Sequence, residues 1–331
     1  MLADYGTVVV TGGLGFIGRH LVRALLALGK QVTVADNCAT AGEGALVPGA
    51  TLVATDIRVP AQVEAALAGA DLVFHVAGNS SSTLSVVAPR LDFETNAVGT
   101  FNVVEASVAA GVRLLLYVSS AAVYGAPRHC PVDEDHPVRP FLPYGASKLA
   151  GELVALARTG TDELPVVIAR PFCVYGPGEH PDVALVEVAR YLRWHLNGRS
   201  IEVVGDPDAK TRDFLHVSDL VSALLLLADR APAGEVYNVG SGEETSMREL
   251  AGTIGAVTSR AAALAHVPTT DDTYSLVADI SKLRMLGFVP RTALADGVRS
   301  LANELGRRPP LPGTATVFRA GEPAERSLEG A

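Results

Sequence analysis

Cysteine is scarce. The 331-residue chain has three, Cys38, Cys130 and Cys173, far apart and without a CxxC pair. Neither a disulfide framework nor a structural zinc site is expected, and no metal is. An excess of positive charge is missing as well: 27 Lys and Arg stand against 36 Asp and Glu, a net charge of −9. Gripping nucleic acid regardless of sequence needs a basic face, so no nucleic-acid partner is expected. A few arginines or backbone N–H groups still suffice to hold a small anionic ligand. Long apolar runs are also lacking. The most apolar late stretch, VSALLLLA at 221–228, is far short of a membrane span, so no membrane partner is expected. The first residues, MLADYGTVVVTGG, have neither the basic start nor the apolar middle of a leader. They read as a strand that begins almost at once, with a cytoplasmic location as the default. No internal repeat is visible. Apolar residues are abundant, 48% against 19% charged. That is enough to bury a large core, to exclude disorder for most of the chain, and to build one or two domains.

The first 120 residues alternate short apolar runs with helix-like segments. Strands are expected at 7–10 (TVVV), 31–35 (QVTVA), 52–54, 72–76 (LVFHV), 114–119 (LLLYVS) and 166–169 (VVIA). Continuous apolar runs suit strands buried on both faces. Helices are expected at 19–28, at 93–110 (Val98, Phe101, Val104 and Val108 on a helical period) and at 144–158. This rhythm predicts an α/β fold, a doubly wound parallel sheet of Rossmann type, with a smaller C-terminal α/β region for substrate. After residue 170 Pro and Gly punctuate the chain. A helix is expected near 183–196, with strands near 201–204 and 236–239. The expected division is 1–170 with 213–240 for the first unit, 171–212 with 241–305 for the second, and a loosely ordered tail at 306–331.

Gly12, Gly15 and Gly18, in TGGLGFIG, follow the first strand and open a helix. Such a loop turns tightly, lets backbone approach a pyrophosphate and aims a helix N-terminus at it. The second strand ends at Asp36, whose carboxylate can accept bonds from both adenosine ribose hydroxyls, which favours NAD over NADP. Arg19 leaves a 2′-phosphate open as the alternative. Asp56 closes the third strand and can touch the adenine amine, or is an exposed loop residue. His75 lies inside a strand and reads as a packed histidine, while Ala77 and Gly78 lend backbone near the cofactor.

Tyr144 and Lys148 stand at i and i+4 on one helix face. A nearby ammonium lowers a phenol's pKa, and the phenol can then exchange a proton with a substrate hydroxyl. Ser120 ends the fifth strand, at the carboxyl edge where such sheets bind ligands, and is placed to bond the same hydroxyl. With the dinucleotide loop these residues make a candidate hydride-transfer site.

Together these segments resemble the extended short-chain dehydrogenase/reductases, in the group of nucleotide-sugar epimerases and dehydratases. The resemblance covers about 6–305. It rests on TGGLGFIG, Asp36-Asn37, Asp56-Ile57, NAVGTFNVVEA (96–106), SSAAVYG (119–125), YGASK (144–148), RPFCVYGPGE (170–179), TRDFLHVSDL (211–220), VYNVGSGE (236–243) and ADISKLRMLGF (278–288). It implies NAD held by Gly12, Gly15, Phe16, Ile17, Gly18, Asp36, Asn37, Asp56, Ile57, Ala77, Asn96, Tyr144 and Lys148. It implies Tyr144 as base, Lys148 as its partner and ligand of the nicotinamide ribose, and Ser120 as support. Arg212 matches an arginine that meets the substrate diphosphate; the alternative for it is a pair with Asp213. A homodimer through the helices near 93–110 and 144–158 is the default.

Dehydratases of this group resemble one another in an Asp-Glu pair directly after the position of Ser120, and uronate decarboxylases keep a glutamate there. This chain has Ala121 and Ala122, neither able to carry a proton. Its SSAAVYG is similar to the 4-epimerases, in which a 4-keto intermediate turns over and takes hydride back on its other face. A 4-epimerase of a UDP-linked sugar is therefore expected. The alternatives are a dehydratase, a decarboxylase, a 4-ketoreductase or a non-catalytic NAD-binding regulator. Two substrate positions depart from the pattern. Cys173 replaces an asparagine that touches substrate, where a thiol bonds weakly. Tyr274 stands in the segment 270–275 where relatives often carry an arginine for the diphosphate; Arg190, Arg193 or Arg248 are the candidates to compensate.

Overall fold

The computed structural model describes residues 2–39, 41, 45–161, 163–179, 186–269, 273–307 and 309–311. Strand and helix alternate first: β1 (Thr7–Thr11), α1 (Phe16–Ala27), β2 (Gln31–Asp36), β3 (Thr51–Ala54), α2 (Pro60–Leu67), β4 (Leu72–His75), α3 (Ser82–Val87) and α4 (Pro89–Phe93). A wider π turn over Glu94–Val98 then leads into α5 (Gly99–Ala109), followed by β5 (Leu114–Val118), α6 (Pro143–Gly160) and β6 (Val166–Pro171). Beyond lie β7 (Cys173–Tyr175), α7 (Glu187–Leu196), β8 (Ile201–Val204), β9 (Thr211–Arg212), β10 (Phe214–His216) and α8 (Val217–Arg230). The chain continues through β11 (Val236–Val239), β12 (Thr245–Ser246), α9 (Met247–Thr258), β13 (Leu264–Val267), α10 (Ser281–Met285) and α11 (Leu294–Leu305).

Seven strands form one sheet in the order β11-β6-β5-β4-β1-β2-β3, and all neighbours pair in parallel. The run of three valines in β1 shows why: Val8 and Val10 enter the core on one face of the sheet, Val9 the core on the other. Helices α1 and α8 cover the first face with Leu21, Leu25, Leu220 and Leu224. Helices α2, α5 and α6 cover the second with Val63, Leu67, Val103, Val104 and Ala155. A third core joins α7, α9, α11 and β8 through Val188, Leu192, Ile201, Leu250, Ile254, Val298 and Leu301. The late strand expected at 236–239 joins the large sheet, Val236 opposite Ile168.

Three expectations are revised. The helix of 93–110 is interrupted by the π turn, whose extra residue turns Asn96 inward to other side chains; such bulges favour this kind of re-aiming. The helix of 183–196 starts at Glu187, after Val186 in extended conformation; residues 183–185 lie outside the described ones. The tail is tied down at its start, because the carbonyls of Pro309 and Pro310 accept bonds from Asn197 and Arg193 of α7 (2.8 and 3.0 Å). Residues 312–331 lie outside the described ones.

Candidate active site

The site lies at the carboxyl ends of the parallel strands. After β1 the chain turns at Gly12, where φ is +69° and a Cβ would fall 2.7 Å from the backbone of Ala77. Only glycine adopts that angle freely. Gly12 N–H donates to the Ala35 carbonyl (2.8 Å), and Gly15 N–H to the Gly12 carbonyl (3.1 Å). A Cβ on Gly18 would meet the Gly12 carbonyl and the Gly13 Cα, so glycine lets α1 start against the turn. Gly13, which the motif reading passed over, is equally enclosed: a Cβ there would lie 2.8 Å from a Val34 methyl. Gly15 precedes α1 without a side-chain cap, leaving the first N–H groups for an anion. Phe16 and Ile17 pack, half-buried, against the core below.

Asp36 is buried at the end of β2. Its Oδ2 accepts the Leu14 N–H (3.0 Å) and its Oδ1 the Cys38 N–H (2.8 Å). The carboxylate thus braces the glycine turn and retains lone pairs for hydroxyl donors. Asn37 is exposed and caps Ala39 N–H (3.1 Å). Asp56 is held by Arg58 (2.6 Å), which keeps its carboxyl below the usual range and competes with any adenine contact. Ile57 is buried against Gly99. Arg19 does not turn toward the end of β2; its guanidinium donates to the Gly178 carbonyl.

The turn after β4 is fastened to the turn after β1. Thr11 Oγ accepts the N–H groups of Val76 and Ala77 (both 3.2 Å) and bonds His75 Nδ1 (2.7 Å). His75 Nε2 bonds Thr100 (3.0 Å), its ring stacks on Tyr117, and burial pushes its pKa down to about 3. It is a neutral, packed histidine, as expected.

Ser120 follows β5 and caps a short turn (Ala121–Tyr124), its Oγ accepting Ala122 N–H at 3.2 Å. Gly145 lets α6 begin against that turn, since a Cβ there would lie 2.5 Å from the Ala122 carbonyl. This sets Tyr144, in the first turn of α6, near Ser120, which acts to lower its pKa. One turn on, Lys148 is buried, its ammonium donating to the Val118 carbonyl (3.1 Å) and lying 5.2 Å from the Tyr117 ring. The expected pull of this ammonium on the phenol is outweighed by burial. Burial raises the Tyr144 pKa, opposed by Ser120, and burial lowers that of Lys148 to about 8. Buried Asn96 turns its amide N–H₂ to Asp92, Asn79 and Ser147, while its Oδ1 has no partner. That orphan oxygen and the Lys148 ammonium meet above Gly78, 2.6 and 3.2 Å from where a Cβ would stand. Asp92, Asn79, Ser147 and Thr11 escaped the sequence reading. The one local signal was the i, i+4 spacing of Asp92 and Asn96.

On the far side, Cys173 begins β7, half-buried, its thiol pushed up by burial. Arg212 is buried, donates to the carbonyls of Thr211 and Tyr274 (2.8 and 2.7 Å) and lies 4.6 Å from the Tyr274 ring centre. The Asp213 carboxylate is engaged with Ser241, Gly242 and Ala278 (2.6–3.2 Å). Of the compensating arginines, Arg248 pairs with Asp208 (2.6 Å) and Arg193 reaches Pro310. Arg190 shares buried Glu187 with Lys210, each at 3.9 Å, and Arg212 adds to the cationic field that lowers the Glu187 pKa despite its burial. Lys210 went unnoticed in sequence. Residues 270–272 lie outside the described ones.

A close-packed glycine turn, an acidic residue ending β2 and a Ser-Tyr-Lys set on one edge of a parallel sheet define a dinucleotide-dependent hydride-transfer fold. The cradle fits NAD on its own geometry: Gly18 admits no side chain, α1 offers free N–H groups, and the orphan Asn96 oxygen awaits a donor. A family model described as the NAD dependent epimerase/dehydratase family matches residues 8–240. The chain is 36% identical to the UDP-glucose 4-epimerase of Mycolicibacterium smegmatis, over 88% of this chain and 95% of that one. It is also 36% identical to a dTDP-glucose 4,6-dehydratase of Streptomyces niveus, over 88% and 90%. Among solved structures, the UDP-glucose 4-epimerase of Thermus thermophilus in complex with NAD is 32% identical, with a TM-score of 0.82 over 90% of this chain and 98% of that one. The chain belongs to the NAD dependent epimerase/dehydratase family.

Proposed function

We propose that this protein is a NAD-dependent epimerase that inverts C4 of a UDP-linked sugar. The observation that carries this is the turn after Ser120, where Ala121 and Ala122 present only methyl groups. Loss of water across C5 and C6, as in the dehydratase relatives, asks for an acid and a base at that place. Inversion at C4 asks for neither.

The residues that would hold NAD are Gly12, Gly15, Phe16, Ile17 and Gly18 for the pyrophosphate, Asp36 and Asn37 for the adenosine ribose, Asp56 and Ile57 toward the adenine, and Ala77, Asn96, Tyr144 and Lys148 toward the nicotinamide end. When bound, NAD supplies the acceptor and donor of hydride at C4. Tyr144 would take the proton of the sugar 4-hydroxyl and give it back to the same oxygen once the ketone has turned over. Ser120 would support that hydroxyl beside Tyr144, and the Lys148 charge would favour the phenolate. Arg212 grips the diphosphate, with Arg190 and Lys210 beside it, and Tyr274 covers the guanidinium of Arg212. Cys173 leaves room where relatives carry a larger amide. The bond from Arg19 to Gly178 supports NAD over NADP, because it draws the guanidinium from the ribose end of β2.

We assign 1–170 with 213–240 to one unit and 171–212 with 241–305 to the other; the third core lies in the second unit apart from Phe214, while Phe172, Val174, Leu276 and Leu283 pack into the first core. We further propose a homodimer: Val98 and Phe101 of the α5 region and Leu153 of α6 are 40, 45 and 63% exposed on adjoining helices, a patch a second copy would cover. Sedimentation as a monomer at micromolar concentration would refute the dimer. Three free thiols, two of them exposed, suit a reducing cytoplasm.

The test is incubation of the purified protein, without added cofactor, with UDP-glucose, UDP-galactose, UDP-N-acetylglucosamine and UDP-glucuronate, read by proton NMR. A 4-epimer from catalytic protein supports the reading and names the sugar. A keto or pentose product, or an absolute need for added reductant, would overturn it.

A further inference from the structure

Asp92 is fully buried in α4. Its Oδ1 accepts from the amides of Asn79 (2.6 Å) and Asn96 (3.1 Å), its Oδ2 from the Ser147 hydroxyl (2.6 Å). Each donor sits on a different part of the candidate site. Asn79 lies in the turn after β4, Asn96 in the π turn, and Ser147 between Tyr144 and Lys148 on α6. Among the described residues no lysine or arginine forms an ion pair with Asp92. The other carboxylate near Lys148, Glu152, is clasped bidentately by Arg170 (3.0 and 2.7 Å). A buried carboxylate is costly without compensation, and three neutral donors with one ammonium nearby supply it here.

We propose that Asp92 is the positioning residue of the hydride-transfer site: it clamps the turn after β4, the π turn and the first turns of α6 into one unit and supplies the negative charge that Lys148 faces. The inference rests on the epimerase reading for its chemistry but not for its geometry.

Two effects follow. Losing the clamp lets α6 shift against the turn after Ser120, and small misplacements of reacting groups cost large factors in rate. Losing the charge moves two titrations the same way. Lys148 faces Asp92 of α4 and Glu152 of α6, both favouring its charged form, and packs beside the Tyr117 ring of β5 and neutral His75 of β4. Tyr144 faces Ser120, which favours the phenolate, and Asp92, whose charge opposes it. Without the Asp92 charge, Tyr144 and Lys148 both lose their protons at lower pH.

The experiment has two arms. In the first, the phenolate absorbance of Tyr144 is titrated in the ultraviolet as the difference from Tyr144→Phe, in the parent protein and with Asp92→Asn. The midpoint should fall in Asp92→Asn and return in Asp92→Glu; an unmoved midpoint in folded Asp92→Asn overturns the charge role whatever the substrate. In the second, kcat/KM of the NAD-loaded protein is followed against pH with UDP-glucose. Asp92→Asn should lose roughly tenfold or more and move both limbs toward acid. Ser147→Ala, which removes one bond and no charge, should lower kcat with the limbs in place. A Ser147→Ala enzyme with parental kcat overturns the clamp, and this variant decides should Asp92→Asn not fold. A parent protein that turns over no UDP-sugar refutes the epimerase reading and leaves the first arm to judge Asp92.

Discussion

Tyr144 carries the sharpest expectation at the scale of one residue. It stands in the first turn of α6, near Ser120 at the edge of the sheet, and nothing in the glycine turn depends on it. Tyr144→Phe should lower turnover by about 10²- to 10⁴-fold, the usual worth of general acid–base catalysis, while the protein still carries NAD by absorbance and extraction. Retained turnover would remove Tyr144 from the chemistry. Position and protonation separate cleanly here. The Tyr-x-x-x-Lys spacing was legible in sequence because a helix puts i and i+4 on one face. Burial, which raises the phenol and lowers the ammonium, was not, because it depends on strands and helices far along the chain. Asp92 stayed hidden for the same reason. An aspartate in a helical stretch looks like a solvated residue until Asn79, 13 residues before it, and Ser147, 55 after it, close around its oxygens.

Among elements, β1 with the start of α1 was the most legible. Glycines are dictated there by backbone-to-backbone distance, and continuous valines by burial on both faces. Gly18→Ala tests that reading. The added methyl would drive into the Gly12 carbonyl, and overpacking of this kind costs typically ~1–3 kcal/mol. We expect a lower melting temperature together with loss of bound NAD. A variant that melts normally and keeps its cofactor would contradict the tight approach of α1 to the turn. The segment 94–98 was less legible. Its period fits an ordinary helix, and the wider turn that carries Asn96 to Asp92, Asn79 and Ser147 depends on partners the local sequence does not show. The start of α7 was less legible for another reason: Val186 is apolar like a helical position, yet its backbone is extended and the helix begins at Glu187.

For the molecule as a whole, the turn after β7 joins the sheet to the third core. Pro177 and Gly178 accept bonds from His20 and Arg19 of α1, Gly178 N–H donates to Glu304 of α11 (2.7 Å), and Glu179 accepts the Gly176 N–H (2.9 Å). Burial raises the Glu179 pKa from 4.5 to about 8, with Arg193 opposing and Glu304 adding to the rise. Between these values the folded protein holds a proton that the unfolded chain has released, so this group makes stability fall as pH rises through that window. Glu179→Gln should flatten the decline in thermal melts taken from pH 5 to 8 (approximate bounds of the same window). An equal slope in parent and variant would exclude Glu179 as its source.

The strand order has a consequence for the order of events during synthesis. Strand β6 pairs with β5 on one side and with β11 on the other, yet β11 is made only after residues 172–235 have emerged. Until Val236 leaves the ribosome, the apolar run of β6 is a growing chain's open border, with unpaired N–H and C=O groups of the kind that invites intermolecular pairing. The nascent protein thus completes its nucleotide cradle early and seals its sheet late, and any pause in translation between the two leaves it most vulnerable to aggregation.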